Sequence, residues 1–137
     1  MLPRCVKKFN NLLLSIIMLF VYDSGYLYRY VDKKELCFIL KNGVVYSITN
    51  PRGTYWTTLL TDDPVIASNL LAIKKTELFR IGGFRLADVD PRHIKYTGIV
   101  KPSLGFPGGA IEILIDIPLP ILTLYDLINK QLISSEM

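Results

Sequence analysis

From Tyr26 onward the apolar residues arrive in short bursts, YLYRYV, VVYSI, TYWTT, ELFRIGGFRL and AIEILIDIPLPI, separated by turn or cap signals such as TNPRG and DDP. Runs of that length, rich in aromatic and β-branched residues, build strands. Two segments carry helix signals instead. DKKELCFILKNG opens on Asp32 as N-cap with Glu35 three residues on, the spacing of a capping box, and stops at Gly43; Leu36, Ile39 and Leu40 give it an apolar face. DDPVIASNLLAI opens on Asp63 with Pro64 at the first helical position, where a missing N–H costs little, and its buried stripe is expected at Val65, Ile66, Leu70 and Ile73. The regular βαβ alternation of a doubly wound sheet is missing, so the pattern predicts an α+β chain with short strands, two early helices and a C-terminal helix over LTLYDLINKQLI.

Gly82 and Gly83 mark a bulge or turn within ELFRIGGFRL. ADVDPRHIKYTGIVKPSLGFPGG reads as a loop of more than twenty residues with one short strand around Ile94 to Val100. Loops of that length in a compact domain are usually functional or mobile. AIEILIDIPLPI is expected to form the last strand pair. Strict alternation in its first half sets Ala110, Glu112 and Leu114 on one face and Ile111, Ile113 and Ile115 on the other. A carboxylate among such neighbours must be exposed, paired or used, because desolvation disfavours its charged form.

The chain has 137 residues, half of them hydrophobic, enough for one domain with a real core and too few for two. The net charge of +4 is uneven: Met1 to Lys34 holds six basic residues against two acids, and Lys74 to Lys101 holds seven against three. Such patches attract nucleic acid, anionic lipid or phosphate-bearing small molecules, although most moderately basic proteins are simply solvated that way. Residues 1–25 form a hydrophobic leader in which Arg4, Lys7 and Lys8 precede an apolar run from Leu12 to Tyr22. That run has the length of a signal-peptide core, although its cleavage region is poor; a buried core helix or a remnant of a longer parent protein fits the same residues. The working domain is then 26–137. With Cys5 in the leader, Cys5 and Cys37 imply no disulfide framework, and His93 as the single histidine argues against a His/Cys zinc site.

The chain contains no Walker-type phosphate loop, nucleophile elbow, zinc-protease helix or dinucleotide fingerprint. GFPGG lacks a following lysine and reads equally as a tight turn. His93 reads as a surface histidine, and Asp62-Asp63-Pro64 as a helix start before a metal pair.

Taken in order, YRYV, KELCFILKNG, GTYWTT, LAI, FRIGGF and VKPSLGFPGGAIEI resemble the ADP-ribosyltransferase-like toxin domains at the C-terminal ends of bacterial Rhs-type polymorphic toxins, over about Tyr26 to Ile117. The resemblance implies a split, bent β-sheet structure gripping NAD, as substrate, in an open cleft. It implies that Arg29 on the first strand binds the dinucleotide, that Tyr55 and Thr57, or else Trp56 and Thr58, position the nicotinamide ribose, and that Glu112 is the catalytic acid. It also implies a secreted or delivered effector, acting in the cytoplasm of a target cell on a macromolecular ADP-ribose acceptor and held in check by a cognate immunity protein. The chemistry suits these residue types: cleaving the nicotinamide–ribose bond creates an oxocarbenium-like centre that a carboxylate stabilises, while arginine pairs with pyrophosphate and an aromatic face packs on nicotinamide. One departure stands out. Arginine-directed members carry Gln or Glu two residues before the catalytic acid, where this chain has Ala110, so plain NAD hydrolysis enters as an alternative.

On residue types alone, Arg29 is equally a strand arginine paired to an acid, Tyr55 and Trp56 core aromatics, and Glu112 a rim charge. Two other classes remain open. One is a small basic toxin ribonuclease using the Lys74 to Lys101 patch with Phe79, Phe84 and Tyr96, and His93 with Glu112 as its acid/base set. The other is a non-catalytic membrane-associated or protein-binding module anchored by Leu12 to Tyr22.

Overall fold

The computed structural model describes residues 23–45, 50–73 and 78–135. The leader expectation for Leu12 to Tyr22, the end of VVYSI and the start of the Lys74 to Lys101 patch lie outside the described residues.

The elements in chain order are β1 (Asp23–Val31), α1 (Lys33–Asn42), β2 (Val44–Val45), β3 (Thr54–Leu59), α2 (Pro64–Leu71), β4 (Phe79–Arg85), two single 3₁₀ turns (Leu86–Asp88 and Pro91–His93), β5 (Ile94–Ile99), β6 (Ile111–Ile115), β7 (Leu119–Pro120), β8 (Thr123–Asp126) and β9 (Gln131–Ser135). Seven strands form one sheet in the order β5-β6-β3-β1-β4-β8-β9, and β2 pairs with β7 apart from it. Every pairing is antiparallel. The architecture is α+β. No helix among the described residues is long and apolar enough to cross a membrane.

Both helices begin where their caps predict. The Asp32 carboxylate accepts from the Glu35 N–H at 2.8 Å, and Gly43 closes α1 in the left-handed region at φ 79°. Asp63 caps α2 by accepting from Val65 and Ile66, with Pro64 in the first turn. The stripe of α2 differs from expectation: Val65 is exposed, and Ala67 is its buried residue. A small side chain there brings the helix close to Tyr30 and Leu78.

The sheet is covered on both faces. On one, Leu36 and Ile39 of α1 pack with Leu27, Val31, Trp56, Ile81, Ile113, Ile115 and Leu124. On the other, Ala67 of α2 packs with Tyr30, Leu78 and Leu127, while Leu70 and Leu71 cover Leu59, Val100 and Ala110. Each large side chain so buried contributes about 1.5–3 kcal/mol. Arg80 lies between the rings of Tyr28 (5.5 Å) and Tyr125 (4.6 Å) and donates to the Thr61 carbonyl.

The C-terminal helix expected over LTLYDLINKQLI is a hairpin. Burial alternates along β8, with Leu124 and Asp126 inside, and β8 adds to β4 in the register Ile81↔Leu124. Asp126 folds the turn by accepting from the backbone N–H of Ile128 and Asn129 and from the Asn129 side-chain amide. Those backbone hydrogen bonds, foremost that of Asn129, outweigh burial and hold its carboxyl below the usual range. The halves of AIEILIDIPLPI do not pair with each other either: β6 enters the sheet between β5 and β3, and β7 joins β2. Within ELFRIGGFRL, Phe79–Arg85 forms one strand, bulged where its register against β1 shifts between Leu27 and Tyr28.

Tyr30 ties these layers together. Its buried hydroxyl donates to the Leu59 carbonyl at 2.7 Å and accepts from the Thr61 N–H at 3.0 Å, and burial pushes its pKa up to about 12. Replacement by Phe strands both backbone groups and should cost about 1–3 kcal/mol in urea denaturation at neutral pH. Because the folded pKa is raised, the wild-type advantage should hold up to about pH 10 and shrink as pH rises toward about 12. An unchanged midpoint in the Phe variant would show that these bonds carry no net stability.

Candidate active site

The sheet opens at one place. β1 and β3 are in register at Tyr28↔Thr57, yet no pair follows it, although β1 continues beside β4 to Val31↔Phe79. The Arg29 guanidinium occupies the seam. Its Nη1 donates to the Tyr55 carbonyl at 2.9 Å and its Nε donates to Glu35 Oε2 at 2.6 Å. A side chain thus supplies the donor that a strand neighbour would otherwise give to Tyr55, and it links β3 to α1 in doing so.

Beside this seam lies a cavity of about 100 Å³ lined by Tyr28, Arg29, Tyr55, Thr57, Leu71 and Glu112, among others. All four residues singled out in the sequence, Arg29, Tyr55, Thr57 and Glu112, therefore meet around one space. Trp56 also lines it, although its indole packs in the core with α1, where the buried Nε1 has no hydrogen-bond partner among the described residues. Thr58 is buried and does not line this cavity.

The ladder fixes where Glu112 stands. Tyr55 pairs with Leu114 and Trp56 with Ile113, so Thr57 and Glu112 are the next residues in line across β3 and β6, and Gly98 pairs with Glu112 from β5. Glu112 is partly exposed and, among the described residues, has neither a hydrogen bond nor an ion pair. Of the alternatives open to such a carboxylate, pairing is removed.

Glu112 and Tyr55 also line a second, larger and open cavity of about 950 Å³, shared with Arg52, Lys95, Tyr96, Lys101, Leu114 and Asp116. At its edge the Asp116 carboxylate faces His93 Nδ1 at 2.8 Å and Lys95 Nζ at 3.3 Å. A carboxylate can only accept, so Nδ1 carries the proton of this hydrogen bond. Burial alone would raise the Asp116 carboxyl, but hydrogen bonds from His93 and Lys95, and their charge, hold it below the usual carboxylate range. His93 is thus on the surface, as expected, and also oriented. Sequence reasoning passed over Asp116 and Arg52; continuing the alternation from Glu112 through Leu114 would have placed Asp116 on the same face. Among the described residues no group of three metal-ligating side chains exists.

The approach GFPGG, the end of the long loop read from the sequence, is fastened by backbone hydrogen bonds. Ser103 and Phe106 exchange backbone hydrogen bonds, Gly108 and Ala110 donate to the Asn69 and Leu70 carbonyls, and Gly109 donates to Val100. Gly108 has φ 70°, and a Cβ there would collide with the Val100 carbonyl, so its job is close approach.

Comparison with protein-family models, with curated proteins and with solved structures finds no match. What can be said of this class of molecule comes from its own geometry: an antiparallel α+β protein whose open sheet face presents an unpaired glutamate between two cavities.

Two outcomes test this geometry. Glu112→Gln should leave the thermal midpoint unchanged or raised, since no partner is lost, whereas Arg29→Ala should cost about 1.5–3 kcal/mol by removing its charge-assisted hydrogen bond to Glu35 and its bond to the Tyr55 carbonyl. Equal losses in the two variants would make Glu112 a structural residue. The Asp116 contribution, arising from a depressed carboxyl, should be present at neutral pH and fade as pH falls below the ordinary aspartate value of about 3.9. The stability gap between wild type and Asp116→Asn, followed by thermal melts, should therefore close in acid; a gap independent of pH would rule out the ion pairs as its origin.

Proposed function

We propose that this chain is a toxin-type enzyme of the ADP-ribosyltransferase kind, which cleaves NAD at the nicotinamide–ribose bond and passes ADP-ribose to a macromolecular acceptor or to water. The observation that carries this reading is Glu112, an unpaired carboxylate on the wall common to both cavities, with Arg29, Tyr55 and Thr57 around it.

Each residue has a task in the reaction. As the C1′–nitrogen bond breaks, nicotinamide leaves as a neutral base and positive charge builds on the ribose. The Glu112 carboxylate, fixed on β6 between β5 and β3, stabilises that charge through the ribose hydroxyls. Arg29 spends two donors on Glu35 and Tyr55 and keeps others of its five for a phosphate oxygen. Tyr55 offers a half-exposed ring to the nicotinamide, and the cavity beside the seam takes one small planar group. The acceptor then bonds to C1′ and loses its proton to solvent.

Ala110, two residues before Glu112, is buried and donates its N–H to the Leu70 carbonyl. It offers no side chain to orient an arginine acceptor, which favours water or a different target group. A cognate immunity protein, the partner implied by a toxin role, would act by covering the open cavity.

The deciding measurement is nicotinamide release from NAD by the purified chain. Glu112→Gln should lower it on the order of 100-fold or more while the fold persists. Near-normal release by that variant removes Glu112 as the catalytic acid, and no release from wild type with bacterial lysate as acceptor source removes the reading.

A further inference from the structure

The larger cavity has a floor of which the NAD reading uses only Glu112 and the Tyr55 ring. Tyr55 of β3 and Tyr96 of β5 both pair with Leu114 of the intervening β6, so the two tyrosines stand in one row across the sheet on the face that carries Glu112. Strands lie about 4.8 Å apart, which puts the tyrosine positions about 10 Å from each other. Leu114 between them is 4% exposed, while Tyr55 and Tyr96 are 41% and 43% exposed. The two tyrosines thus show ring surface to solvent on either side of a buried leucine. Tyr96 is laid down along its strand: a Cβ on Gly98 would collide with its hydroxyl end, and glycine at that position makes room for the ring.

Cations surround this row. Arg52, Lys95 and Lys101 line the same cavity. Among the described residues the Arg52 and Lys101 side chains have no carboxylate partner, and Lys95 shares Asp116 with His93. The nearby Asp90 is bound by Arg92. The acids of this region are thus neutralised except Glu112, and the rim keeps a positive excess.

We infer that this sheet face binds single-stranded nucleic acid, with bases stacked on Tyr55 and Tyr96 and phosphates held by Arg52, Lys95 and Lys101. A single strand is favoured over a duplex because bases must leave their own stack to reach aromatic rings on a flat sheet, and flanking cations suit the backbone that joins them. An acidic protein surface would use the cations and leave the two ring faces without a planar partner. If the NAD reading also holds, the Tyr55 ring serves the nicotinamide and the strand stacked on Tyr96 beside Glu112 is the acceptor: a nucleobase heteroatom bonds to C1′ as the bond to nicotinamide breaks, and its proton goes to solvent.

The test is fluorescence anisotropy of a labelled single strand of about 10 nucleotides with the full chain. Binding should weaken steeply with salt, and Lys101→Gln should lower the salt slope by about one. Tyr96→Ala should weaken binding by roughly 5- to 150-fold, and Tyr96→Phe, which keeps the ring, should retain it; this pair separates stacking from general damage to the fold. Equal affinity for the corresponding duplex, displacement by poly-glutamate as effective as by unlabelled oligonucleotide, or no loss in Tyr96→Ala would each overturn the inference. Nicotinamide release is measured separately: strand binding without release supports this site while removing the NAD reading, and release without strand binding does the reverse.

Discussion

The Arg29 guanidinium holds the point on which this structure turns. β1 is the middle strand of the seven, and it loses its neighbour β3 just past Tyr28. An open seam in a sheet leaves backbone groups without partners, a cost of about 1–3 kcal/mol for each one buried. Arg29 answers the Tyr55 carbonyl and anchors itself on Glu35 of α1, so the sheet can part without unravelling. The parting gives the smaller cavity its place, with Tyr55 and Thr57 on one side and Tyr28 on the other. Without that bridge, the end of β3 that presents Tyr55 would have no fixed relation to α1.

The two faces of the sheet divide the labour. The α1 face is almost wholly aliphatic and supplies most of the core. The opposite face carries polar and aromatic side chains in rows, stabilised by Tyr30 under α2 and by Arg80 between Tyr28 and Tyr125, and it remains open where α2 ends. Glu112 avoids a desolvation cost because this second face is partly wet, while Ile111, Ile113 and Ile115 on the same strand face the core side.

What could be read directly from the residues was local. Asp32 with Glu35, Asp63 with Pro64, and Gly43 announce helix ends by short-range hydrogen-bond chemistry, and both helices lie where those residues put them. Alternation likewise assigned Glu112 to its face. What failed depended on distant partners. The apolar spacing of LTLYDLINKQLI fits a helix as well as a strand, and the choice is made by β4, some forty residues earlier, which accepts β8 along its edge, and by the Asp126 turn. The fastening of GFPGG was hidden for the same reason, because Asn69, Leu70 and Val100, whose carbonyls accept from Gly108, Ala110 and Gly109, lie outside that stretch. Arg29, Tyr55, Thr57 and Glu112 were named by resemblance to a family pattern; that they converge is a property of the sheet order, which no single segment encodes.

The row geometry also governs how such a surface can change over generations. Tyr55, Leu114 and Tyr96 lie side by side only because three strands keep their alignment, and Gly53, just before β3, packs so tightly on the Ile115 carbonyl that no side chain fits there. A single-residue insertion within β6 would exchange the acid for an isoleucine on the open face and drive a charge toward the core. Lineages of this protein are thus free to lengthen or shorten the connections at the sheet's rim, whereas the strands beneath the tyrosines tolerate replacement of a letter but not a change of frame.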